Sequence, residues 1–134
     1  MECILRVSGV RFQPEEFLKT SSLSPYRVLR TGEPRIAPKA SLEHKDSGFN
    51  VSVAEGDELA HQIDGAVKYL RTNKDELIRL QAFDGVESLL LDFGIPWREE
   101  QPMLTDRLPL ALLKLCSEIG FEIELSHYSV SDER

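Results

Sequence analysis

Residues 108–128, LPLALLKLCSEIG followed by FEIELSHY, restrict the possible fold more than any other stretch of the chain. Leu110, Ala111, Leu112, Leu113, Leu115, Cys116 and Ile119 cover much more than one stripe of a helix, and only Lys114, Ser117 and Glu118 are left for water. A helix this apolar is expected to be buried on most sides. Pro109 suits its first turn, where a missing N–H is no loss, and Asp106 or the backbone at Leu108 is the expected cap. Gly120 then supplies the left-handed position that ends many helices. The strand that follows puts Phe121, Ile123 and Leu125 on one side and Glu122, Glu124 and Ser126 on the other, the period of a sheet with one buried and one wet face.

The rest of the chain must supply the sheet and the helices that this unit packs against. Residues 2–8 alternate, with Cys3, Leu5 and Val7 facing one way. Pro14 opens a short helix with Glu15 and Glu16 near its N-terminal dipole. Residues 25–30 read as a second strand, followed by the turn Thr31-Gly32-Glu33-Pro34. Residues 35–47 fit either a long loop or an edge hairpin. Phe49, Val51 and Val53 alternate with Asn50 and Ser52 as a third strand. From Gly56-Asp57 a helix follows, with Leu59, Ile63, Val67 and Leu70 inward and Glu58, Gln62, Asp64, Lys68 and Arg71 outward; Gly65 permits close packing. Asn73-Lys74-Asp75-Glu76 has the form of a capping box, so a second short helix carries Leu77, Ile78 and Leu80. Residues 86–93 (VESLLLDF) read as a central strand, and residues 94–105 as a loop holding Trp97, Glu99 and Glu100.

This order predicts an α+β fold: a ferredoxin-like βαββαβ core extended by a C-terminal helix and strand, with a mostly antiparallel sheet and helices on one face. The expected organisation is a single domain over 1–128 with a polar tail over 129–134. A chain of 134 residues buries enough surface to fold without a disulfide or metal. Cys3 and Cys116, the only cysteines, both lie in apolar segments and are expected to be free and reduced. No apolar run approaches a membrane span and the first residues do not read as a secretory signal, so the expected location is the cytoplasm, away from membranes. The formal net charge of −7 argues against nucleic-acid binding and allows a basic protein partner.

The opening strand followed by QPEEFLKTSSLSPYRVLRTGE, with Pro14-Glu15-Glu16, Leu23-Ser24-Pro25 and Arg30-Thr31-Gly32-Glu33 as its punctuation, resembles the bacterial family called domain of unknown function 4279. The apolar helix, Gly120 and the strand closing on His127-Tyr128 resemble it too. Where members often carry a tryptophan before the third strand, this chain has Phe49 as its nearest aromatic. The resemblance implies no activity and no catalytic residues. An immunity-like or interaction role follows from it by analogy alone.

No nucleophile elbow, phosphate loop or dinucleotide fingerprint is present in the sequence. His61 and Asp64 share a helix face, but His44 and His127 lie far off in sequence, so no metal site and no cofactor are expected. The glutamate pairs lack the burial that raises a carboxyl for acid–base work, and an enzyme is the lesser expectation. The leading one is a non-enzymatic interaction module whose contact residues are Trp97, Glu122 and Glu124. The alternative is a small enzyme or small-molecule binder with a pocket near Trp97 and His127, with Tyr128 beside it.

Overall fold

The computed structural model describes residues 1–32, 45–97 and 105–129. The expectations for residues 35–44, for Glu99 and Glu100, for His44 and for most of the tail lie outside these. Among the described residues, five strands and four helices run in the order β1 (Glu2–Gly9), α1 (Pro14–Leu18), β2 (Arg27–Leu29), β3 (Ser47–Glu55), α2 (Leu59–Thr72), α3 (Lys74–Gln81), β4 (Ser88–Trp97), α4 (Leu110–Ile119) and β5 (Glu122–Ser129). They form one sheet in the order β2-β3-β1-β4-β5. β1 is antiparallel to both β3 and β4, and β2 is antiparallel to β3. β1 and β2 therefore run parallel with β3 between them, and β3 and β4 run parallel with β1 between them. This α+β arrangement is compatible with the ferredoxin-like expectation. β5 adds to the edge, parallel to β4.

The alternation of the strands decides where the core lies. Cys3, Leu5 and Val7 of β1, Phe49 and Val51 of β3, and Leu89, Leu91, Phe93 and Ile95 of β4 all turn to one face. Phe17 of α1, Ile63, Ala66 and Leu70 of α2, Leu77 and Leu80 of α3, and Leu112, Leu115 and Ile119 of α4 close over it in a single cluster. Ile123 and Leu125 of β5 pack against its margin. Phe12, Phe17, Phe49 and Phe83 meet ring to ring at 5.1–6.1 Å. Arg79 lies 4.2 Å over the Phe17 ring while its guanidinium holds Glu76.

Several local expectations are corrected. The alternation of β3 is broken after Val51: a bulge in the β1–β3 register sets Ala54, not Val53, opposite Cys3, and Val53 and Ala54 both pack against the core half-buried. Gln62 is not on the wet side of α2 but fully buried, where its Nε2 donates to Gly56 O at 2.6 Å and to Gly94 O at 2.7 Å. An amide that answers two buried carbonyls replaces the apolar residue the helical period calls for. Asn73 makes no capping box; its side chain donates back to Tyr69 O at 3.0 Å and so closes α2 instead of opening α3. Pro109 is the N-cap of α4, in extended conformation, one position before the first turn. α4 is also less enclosed than its composition implies, for Leu110 and Leu113 are 69% and 42% exposed. Gly120 adopts φ +107 as expected and lets both its own N–H and that of Phe121 reach Cys116 O at 2.8 Å.

Gly65 does allow a close approach: a Cβ there would lie 2.6 Å from Ala54 Cβ. Gly65→Ala is expected to lower stability by ~1–2 kcal/mol, because overpacking between helix and strand outweighs the ~1 kcal/mol alanine gains in a helix. A urea midpoint that rises instead would show that α2 can shift away from β3 at no cost.

Cys3 and Cys116 are free and buried. Desolvation pushes the Cys116 thiol up to about 11. It raises Cys3 as well, aided by the negative charge of Asp92. The native state thus keeps protons that the unfolded chain releases near pH 9, so stability falls as pH rises from there. The urea midpoint should drop as pH rises from about 9 towards 11, with a shallower drop in Cys116→Ala. A midpoint that does not change over this range would contradict the assigned burial.

Candidate functional site

All four helices cover the same face, and the other face of the sheet carries no helix among the described residues. The registers set out what it displays. One row across the strands is Arg27, Asn50, Arg6, Leu90 and Glu122; the next is Ser52, Ile4, Asp92 and Glu124. Glu2 shares this face, since Ser52 Oγ donates to its carboxylate at 2.6 Å.

Asp92 interrupts the apolar run of β4 and is 6% exposed. A buried carboxylate needs compensation; two neighbours provide it, and a third holds the arginine. Arg6 donates from Nε and Nη2 to Oδ2 at 3.2 and 3.1 Å. Ser126 of β5 donates to Oδ1 at 2.6 Å. Asn50, with its amide oriented to satisfy both of its groups, accepts from Arg6 Nη1 at 3.1 Å and donates to Phe49 O. The network ties β3, β1, β4 and β5 together across the helix-free face. It also commits the Arg6 cation internally. Glu122 and Glu124 stand exposed beyond it with no ion pair among the described residues, and β5 therefore shows uncompensated negative charge. No signal in the sequence paired Arg6 with Asp92, although a lone carboxylate within LLLDF implies a nearby donor.

Trp97 is not in a loop. It is the last residue of β4, which runs past the end of β1 and pairs there with β5 alone. Pro96 is tolerated at that place because one side of the strand has no ladder to lose. Trp97 and His127 meet edge to face, with centroids 6.4 Å apart. His127 shares the parity of Ile123 and Leu125 but lies exposed past the end of the core. Tyr128 turns to the opposite face, as neighbours in a strand must. There it walls a cavity of about 180 Å³ together with Met1, Glu2, Ile4, Asp92 and Gly94. A wider, shallower depression beside it is lined by Met1, Glu2, Glu55, Gly56 and Asp57, and the amino terminus binds Asp57 there at 3.1 Å. Trp97 and His127 line neither. His61 is exposed, 3.9 Å from Glu58, and among the described residues no three metal-ligating side chains converge.

The class this defines is a small α+β domain with a one-sided helical layer and a polar, partly acidic sheet face. A family model described as a domain of unknown function, DUF4279, matches residues 1–130 of the 134, and the chain belongs to that family. No match was found among curated proteins or among solved structures. No helix among the described residues is long and apolar enough to cross a membrane.

Proposed function

We infer that the protein is a non-enzymatic interaction module that receives a basic protein partner on its helix-free sheet face, with β5 at the centre of the contact. The observation that carries this reading is the uncompensated charge of Glu122 and Glu124 beside a network that uses up Arg6. Complementary charge of this kind speeds encounter and selects partners more than it adds affinity. The cytoplasm is the compartment this reading assumes, and an immunity-like version of it makes the partner a basic toxin surface.

Affinity capture from the native cell, run in parallel on the wild-type chain and on Glu122→Gln/Glu124→Gln, tests it. The expected result is a basic protein, named by mass spectrometry, that the wild-type column retains at low salt and the variant column does not. Equal retention on both columns contradicts the reading.

A second reading, a small-molecule site near Trp97 and His127, is supported by their ring contact; the cavity next to Tyr128 lies on the other face and is no part of it. Trp97 is the sole tryptophan, so its fluorescence reports such a ligand directly. A metabolite that changes that emission saturably would favour this reading over the first.

A further inference from the structure

The cavity beside Tyr128 and the wider depression next to it share Met1 and Glu2 as walls. At about 180 Å³ the cavity lies below the range of about 300 Å³ and more that takes a drug-sized ligand, and it suits a single side chain. Gly94 keeps it open: a Cβ there would stand 3.3 Å from both Glu2 O and Tyr128 Cε2. The half-exposed Tyr128 ring walls one side and Ile4 adds an apolar surface. From the core side, Gln62 Nε2 donates to Gly94 O and to Gly56 O, a glycine of the wider depression, and so fixes the backbone under both.

The charge around this space is compensated at all but one place. Asp92 is held by Arg6, and Asp57 by the amino terminus. Glu2 and Glu55 stand directly opposite each other in the β1–β3 register, a like-charge pairing that is unfavourable, and neither has an ion pair among the described residues. Ser52 donates to Glu2 Oε1 at 2.6 Å, which leaves Oε2 without a donor among the described residues. We propose that the cavity receives the guanidinium of one arginine of the basic partner, with its plane on the Tyr128 ring, an N–H on Glu2 and its methylene stem along Ile4. A guanidinium joins ring stacking and carboxylate bonding in one planar group, and its charge offsets the Glu2–Glu55 repulsion. The proposal rests on the partner reading above and names the group that the partner inserts.

The probe is N-acetyl-arginine N-methylamide, which presents the side chain as it stands in a protein, and the readout is the Tyr128 amide signal in proton–nitrogen NMR spectra. A shift that saturates in the millimolar range is expected. The citrulline counterpart, neutral and of nearly the same shape, should bind about tenfold or more weakly, since it lacks the charge that strengthens a hydrogen bond to a carboxylate. Gly94→Ala, which fills the space, and Glu2→Gln, which removes the charge, should each weaken the arginine probe by about fivefold or more. Glu2→Gln should keep the wild-type urea midpoint or raise it, because it relieves the opposed carboxylates.

Free arginine, whose own carboxylate meets Glu2 and Glu55, should bind more weakly than the blocked probe. Tighter binding of free arginine would make the ligand a small metabolite and overturn the proposal. An equal response to the citrulline compound, no saturation up to about 0.1 M probe, or unchanged affinity in both variants overturns it as well. The titration needs no captured partner, whereas the capture experiment turns on Glu122 and Glu124, so each claim can fail while the other holds.

Discussion

Leu112→Ala is expected to cost ~2–5 kcal/mol of stability, the sum of lost transfer energy and the cavity left behind. Leu112 has no exposed surface and sits in the core cluster between the sheet and the other helices. α4 cannot shift to refill the space. Its start is set by Pro109, its end is held by two N–H groups on Cys116 O, and Glu118 ties it to Lys74. Leu113→Ala, one residue on, removes a side chain that is 42% exposed and should cost less than ~1 kcal/mol. Urea denaturation of the two variants side by side checks the orientation of the helix. A Leu112→Ala cost below ~0.5 kcal/mol, or equal costs for the two, would mean the inward arc of α4 is assigned to the wrong residues.

The second large effect is expected at Arg6. Arg6→Met leaves the Asp92 carboxylate buried with Ser126 as its remaining side-chain donor. Breaking a buried pair by removing one partner costs ~3–5 kcal/mol. The Arg6 side chain is 37% exposed and that of Asp92 8%, so solvent reaches the pair from one side and a loss of ~2–3 kcal/mol is expected. Arg6→Met combined with Asp92→Leu should recover most of it, since replacing both charges by apolar side chains removes the uncompensated carboxylate. The difference between the single and double variants, measured by urea denaturation, isolates the pair. A double variant less stable than Arg6→Met would show that Asp92 is needed for a reason other than its partner, with Ser126 and Asn50 the first places to look.

The parts of the fold legible in the sequence are those set by local periodicity and punctuation. Gly120 ends α4 and starts β5 as its position implies, because no other residue type takes φ +107 so cheaply. Leu5, Val7, Leu89, Leu91, Phe121 and the inward leucines of α4 belong to one core, as alternation and helical spacing require. What periodicity cannot decide is how much of an all-apolar helix is covered. Leu110 and Leu113 are indistinguishable in sequence from Leu112 and Leu115, and only the placement of α2 and α3 separates them. Gln62 reads as a surface residue until the carbonyls of Gly56 and Gly94 are brought to it by the fold. Trp97 reads as loop because Gly94 and Pro96 are turn residues, but the parallel ladder with β5 carries the strand through both.

The candidate site was half legible. Outward-pointing Glu122 and Glu124 follow from alternation alone. The internal neutralisation of Arg6 by Asp92 does not, since it joins residues 86 apart in sequence through a register that the sequence leaves open. Arg6 and Arg27 stand against Glu2, Asp92, Glu122 and Glu124 on this face, so its sum is negative with or without the pair; what the pair decides is where the cation sits, on Asp92 and not on the glutamates of β5. The charge that β5 offers a partner is therefore negative.

The most direct test of that claim is the association rate of the captured partner with wild-type protein and with Glu122→Gln/Glu124→Gln, measured by stopped flow across a series of ionic strengths. Exposed charges contribute little to folding, so the variant should keep the wild-type urea midpoint. It should bind about threefold or more slowly at low salt, with a shallower dependence of rate on ionic strength, because steering acts on encounter. Equal rates and equal salt slopes for the two proteins would remove β5 from the interface and leave its glutamates as solubilising residues.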